Sequence, residues 1–85
     1  MSIEEFKNDW RNMGQLDYLF RKKLEKVQFK KDSGDHEHCE FCSEKISYLP
    51  NCTSEGYCTV DTDFCYWICP ECYEDFKEVF QWLLV

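Results

Sequence analysis

Ile3, Phe6, Trp10 and Met13 recur at intervals of three and four residues, which places four large apolar side chains on one face of a helix. Ser2 stands where it can cap that helix, and Glu5 where its carboxylate can reach back to the cap, so the pattern predicts a helix over residues 2–13. Gly14 supplies the stop. The next stretch carries two periods at once. Leu16, Leu19, Phe20, Leu24 and Val27 fit a helix, whereas Lys26-Val27-Gln28-Phe29-Lys30 alternates as a half-buried strand does. Helix and strand both remain open for residues 16–31, with a strand over residues 24–30 favoured.

Asp32-Ser33-Gly34-Asp35 is turn chemistry and separates this arm from the second half. There the pattern predicts a short strand over residues 45–49, an irregular loop from Pro50 to Gly56, and a hairpin whose strands cover residues 57–60 and 64–69. Alternation would put Phe64, Tyr66 and Ile68 on one side of the return strand and Cys65 and Trp67 on the other. The period then changes. Tyr73, Phe76, Val79, Phe80 and Leu83 follow helical spacing behind the acidic first turn of Glu71, Glu74 and Asp75. The expected core comprises Trp10, Phe29, Phe41, Trp67, Ile68, Phe76 and Phe80, and Trp82 is either a core residue or an exposed anchor for a partner.

Two Cys-x-x-C pairs, Cys39 with Cys42 and Cys69 with Cys72, change this outline into an architecture. Together they offer four thiolates for a closed tetrahedral site, for which one zinc ion is the expected occupant and iron in a four-sulfur site the alternative. The 26 residues between the pairs leave room for a hairpin. Four protein ligands leave no open position for water or substrate, so the metal points to structure rather than catalysis. At 85 residues the chain buries little apolar surface for its size, and metal ligation offsets that shortage. His36 and His38 precede the first pair; His38 is a candidate to hydrogen-bond the site from outside the ligand set, and a substitute ligand if one cysteine does not bind.

The order of a Cys-x-x-Cys knuckle, a hairpin and a second pair at a helix start resembles the treble-clef class of zinc folds, with a zinc ribbon as the alternative. Locally, His36-Glu37-His38-Cys39-Glu40-Phe41-Cys42, Gly56-Tyr57-Cys58-Thr59 and Trp67-Ile68-Cys69-Pro70-Glu71-Cys72-Tyr73-Glu74-Asp75-Phe76-Lys77 resemble a group of small uncharacterised bacterial zinc-binding proteins. The likeness is best over residues 36–82 and implies the cysteine ligands but no activity. The expected fold is a small α+β zinc domain with a short antiparallel sheet, an N-terminal helix and a C-terminal helix. It forms one domain over residues 1–85, divided into a helix and basic arm (1–31) and a zinc-binding half (36–85).

Charge is unevenly placed. Residues 1–31 hold eight Lys/Arg against five Asp/Glu, and residues 32–85 hold two against twelve. Arg21, Lys22, Lys23, Lys26, Lys30 and Lys31, with Phe20 and Phe29 among them, are the candidate nucleic-acid contacts. The acidic remainder would repel a phosphate backbone, so nucleic-acid binding ranks below a protein partner. Asp61 and Asp63 read as turn residues, and no nucleophile or phosphate-binding loop accompanies them. Cys52, Cys58 and Cys65 are left over. A small buried side chain is the ordinary fate of such residues, which suits Cys65 beside Trp67, while Cys52 belongs to a loop; a redox or metal-responsive role is the alternative. With no secretory leader or long apolar run in the sequence, the expectation is a soluble cytoplasmic protein that is not an enzyme and that uses zinc to present a surface to another protein.

Overall fold

The capping box forms as the sequence suggests, but the helix it starts is short. Ser2 Oγ accepts from the Glu5 amide at 3.2 Å and Glu5 Oε1 accepts from the Ser2 amide at 3.1 Å, opening α1 (Ile3–Lys7). Asn8 and Asp9 end it. Asn8 bonds the Glu4 carbonyl through its side chain, and Asp9 takes the Arg11 amide at 2.8 Å, so both residues divert the backbone into a turn. Helical spacing therefore stops applying after Phe6. Trp10 is 70 % exposed and Met13 71 %, which removes both from the apolar face and Trp10 from the core. The computed structural model describes residues 1–85, the side chain of Ser33 excepted.

Residues 16–31 divide between the two readings. A single turn, α2 (Leu16–Leu19), is followed by β1 (Lys23–Gln28). The hairpin β2 (Glu37–His38) and β3 (Lys45–Ile46) encloses the first cysteine pair, and β4 (Glu55–Thr59), β5 (Trp67–Ile68), α3 (Pro70–Phe76) and β6 (Leu83–Leu84) complete the chain. The sheet order is β5-β4-β1-β6. β1 pairs antiparallel with β4 and parallel with β6, so the sheet is mixed and not the antiparallel one expected.

The parallel edge has a local cause. Gln81 takes a positive φ of 52° and the Trp82 amide bonds the Lys77 carbonyl, a left-handed reversal of the kind that closes helices. Leu83 therefore leaves the helical face assigned to it and lies on β6, 59 % exposed. Trp82 turns inward instead: it is buried and its indole N–H donates to the Leu19 carbonyl at 2.9 Å, so it is a core residue and not an exposed anchor. The return strand of the second hairpin is also shorter than its alternation suggests. Thr59 and Thr62 hydroxyls donate to the Phe64 carbonyl, and Thr59 Oγ1 accepts from the Tyr66 amide, so side chains take over bonds a strand would make.

Each face of the sheet meets its own cluster. Leu24, Tyr57 and Ile68 join the larger cluster, which includes Phe6, Phe41, Phe76 and Phe80 together with Cys39, Cys69 and Cys72. Phe29, Ile46, Cys58 and Trp67 form the smaller one, with Val27 against it. Gly56 lets β4 pass close to β5, since a Cβ there would stand 3.0 Å from the Ile68 carbonyl oxygen, a tight approach to backbone. Tyr73 lies parallel to Tyr57 with ring centres 3.7 Å apart, and parallel to Trp82 at 5.8 Å. Six of the seven expected core residues are buried, Trp10 being the exception. None of the described helices is long and apolar enough to cross a membrane.

Candidate metal centre

The β2–β3 hairpin presents the first pair of sulfurs. Its turn is closed by the Ser43 amide on the Cys39 carbonyl at 3.1 Å, and Ser43 adopts a φ of 64° to allow it. The Phe41 amide donates to Cys39 Sγ at 3.4 Å, so the same turn supplies a backbone donor to the thiolate. Glu40 anchors the knuckle to the second pair through its amide, which donates to the Trp67 carbonyl at 2.9 Å. Cys69 caps α3, with extended backbone, and its sulfur accepts from the Cys72 amide at 3.5 Å. Pro70 follows at a position that needs no amide hydrogen.

The four sulfurs of Cys39, Cys42, Cys69 and Cys72 all lie within 4.8 Å of one another, and Cys42 and Cys69 approach to 3.6 Å. A tetrahedral ion with metal–sulfur bonds of about 2.3 Å separates its ligands by about 3.8 Å, so the cluster has the size such an ion requires. The donor set fits as well. Cys39, Cys69 and Cys72 are buried and Cys42 is half-buried. Thiol hydrogens from Cys69 and Cys72 hold Cys39 well below the usual thiol range, while the Cys39 thiolate pushes Cys69 up to about 12 and raises Cys72 further. Four sulfurs this close cannot all carry charge unaided, and a bound dication is what would let them do so.

Arg11 adjoins the sulfur cluster and is not among the candidate residues read from the sequence. Its guanidinium reaches Cys72 Sγ at 3.5 Å and Asp75 at 3.0 Å, grips Asp9 with two bonds of 2.9 Å, and lies 4.3 Å from the centre of the Phe76 ring. The Asp9 carboxyl is held below its usual value by that grip. Four thiolates around a dication would carry about two net negative charges, and Arg11 sets a charged donor against one of the sulfurs while sharing its charge with Asp9 and Asp75. Nothing in the spacing around Arg11 announces this, because the contact arises only when the turn after α1 meets α3. We expect Arg11→Gln to weaken metal affinity about tenfold, in keeping with residues that support ligands from outside the coordination sphere. Competition against a chromophoric zinc chelator measures it, and an unchanged affinity would limit Arg11 to packing.

No family model, curated protein or solved structure matches the chain. The remaining candidate residues are therefore placed by geometry. His38 Nδ1 lies 3.1 Å from the Ser43 carbonyl, so it braces the knuckle backbone, and neither His38 nor His36 belongs to the four-sulfur cluster. The bases do not all share one face of the sheet. Lys23 and Lys26, three residues apart on β1, point to opposite faces of the sheet, Lys26 stands 3.9 Å from Glu55, and Arg21 bonds Gln81. Lys22 is half-buried, while Lys30 and Lys31 follow the strand, the latter opening a short 3-10 turn.

Of the spare cysteines, Cys58 is buried in the smaller cluster and Cys52 is half-buried. Cys65 is exposed, contrary to the expectation that it packs with Trp67, because the strand does not extend back to it. Burial, together with the neighbouring Cys65 thiol, pushes the Cys58 thiol up to about 12, so Cys58 is a poor nucleophile.

Proposed function

We propose that this chain is a zinc-stabilised module of treble-clef type that presents a rigid surface to a protein partner. The observation that carries the proposal is the convergence of Cys39, Cys42, Cys69 and Cys72 within 4.8 Å. These four residues would hold the ion, and an ion so held has no coordination position left for a substrate, which favours a structural role over an enzymatic one. The treble-clef reading is supported by the order of elements: a knuckle inside β2–β3, the β4–β5 hairpin, and α3 capped by Cys69. It also accords with the resemblance of residues 36–82 to small bacterial zinc-binding proteins. All seven cysteines are unpaired, which suits a reducing compartment.

Elemental analysis of the chain purified without added metal tests the assignment. One tightly held zinc per chain and a colourless solution are expected; a red, sulfur-to-iron absorbance would replace zinc with iron. A folded, metal-free chain with four titratable thiols at these positions would remove the metal reading altogether.

A further inference from the structure

A concavity lies away from the sulfur cluster, between α2 and the loop joining β4 to β5. It holds about 430 Å³ and is lined by Asp17, Tyr18, Asp61, Asp63, Phe64 and Tyr66, with Lys22 also on its wall. Its aromatic surface is continuous: Tyr18 and Tyr66 rings are 5.0 Å apart, and Phe64 lies 6.5 Å from Tyr66 at a steep angle. Phe64 is 71 % exposed, although apolar side chains of its size are ordinarily drawn inside. None of the described ion pairs engages Asp17, Asp61 or Asp63.

We propose that this groove docks an arginine-bearing segment of another protein, with the guanidinium lying against the aromatic rings and its N–H groups donating to the carboxylates. The idea rests on the interaction-module reading and names the chemistry of its partner. Charge and shape both select this occupant. Three carboxylates face one ammonium, and two of the three, Asp61 and Asp63, belong to residues 32–85, where acidic residues outnumber basic ones twelve to two. A guanidinium is flat, forks to carboxylates and stacks on aromatic faces, and does all three with less hydration to lose than an ammonium. A metal ion suits the groove less well, since among the described residues only the four cysteines form a group placed to share one. A second copy of the chain is disfavoured as well, because a two-fold contact through this groove would set carboxylates against carboxylates.

The test uses the zinc-loaded full chain, isotopically labelled, titrated with a capped tetra-arginine peptide at low salt. Amide shifts are expected to concentrate at Asp17, Tyr18 and residues 61–66. Affinity should fall about tenfold in the double variant Asp61→Asn with Asp63→Asn, and severalfold in Phe64→Ala. Asn at position 61 keeps an oxygen for the Lys23 amide that Asp61 now accepts at 3.2 Å, and Phe64 is exposed, so both variants retain the fold. Tetra-lysine should bind more weakly than tetra-arginine. Shifts scattered over the whole acidic surface, equal binding of the two peptides, or indifference to Phe64→Ala would overturn the proposal in favour of unspecific charge attraction. Self-association that the same variants abolish would overturn it in favour of a second copy. Failure of the metal reading is separately visible, as a spectrum that stays dispersed after chelation; failure of the groove leaves a dispersed spectrum that the peptide does not move.

Discussion

Removing the metal from the purified chain with a strong chelator is expected to abolish its near-ultraviolet circular dichroism and its cooperative thermal transition together. The magnitude follows from two scales. Structural zinc contributes on the order of 10 to 16 kcal/mol in small peptides, whereas a domain of this size has a total stability of roughly 4 to 13 kcal/mol. Loss of the first exceeds the second over most of that range. The effect cannot stay local, because Cys39, Cys69 and Cys72 belong to the same buried cluster as Phe6, Leu19, Leu24 and Trp82, which come from both ends of the chain. Without a cation the hydrogen bond to the Cys39 sulfur holds Cys72 in its thiol form, so the four sulfurs do not all ionise.

The pH dependence has a definite sign. The metal-bound folded chain carries thiolates and the unfolded chain, below about pH 8.5, carries thiols, so unfolding takes up protons and stability rises with pH. Acidification should therefore release the ion and unfold the chain in one step. A chelated sample that keeps its Tm would show that the aromatic core suffices alone.

How far the sequence reveals this arrangement depends on whether a feature is local. The cysteine pairs are legible because each knuckle is built from four consecutive residues, and Ser2 with Glu5 is legible for the same reason. Periodicity identified Phe6, Phe76 and Phe80, but it ran on through Trp10 and Leu83, since the stops lie in competing bonds. Asn8 and Asp9 side chains bond nearby backbone groups, and Gln81 accepts a left-handed conformation that no glycine advertises. Longer-range pairings were invisible. Buried Gln15 shows this well: its amide donates to the carbonyls of Arg11 and Glu40, and its oxygen accepts from the Met13 amide, which fastens the N-terminal turn to the first cysteine knuckle. Arg11 beside Cys72 is a second contact of this kind, across 61 residues of sequence. Neither leaves a spacing signature, because each depends on two segments that only the fold brings together.

Phe6→Ala is expected to destabilise the zinc-loaded chain by about 3 to 5 kcal/mol, the usual cost of deleting a fully buried phenyl ring. Phe6 has no exposed surface, and its ring meets Phe76 at 4.9 Å and Phe80 at 5.0 Å edge to face, with Phe41 at 6.2 Å. Those partners are held by the metal half, on the knuckle, on α3 and just beyond it, so they cannot collapse far into the space left by the ring. α1 is only five residues long and contributes no other buried side chain, so its attachment to the molecule depends on this one residue. Urea denaturation at saturating zinc gives the difference directly, and at roughly 4 to 8 °C per kcal/mol the thermal midpoint should fall by about 12 to 40 °C. Ile3→Ala, on the same short helix but 41 % exposed, should stay within about 0.5 kcal/mol of the parent chain. Zinc stoichiometry should remain unchanged in both variants, since neither residue belongs to the four-sulfur cluster. A loss below about 1 kcal/mol for Phe6→Ala would mean that the metal half folds without the N-terminal helix, and that the aromatic cluster closes over the gap.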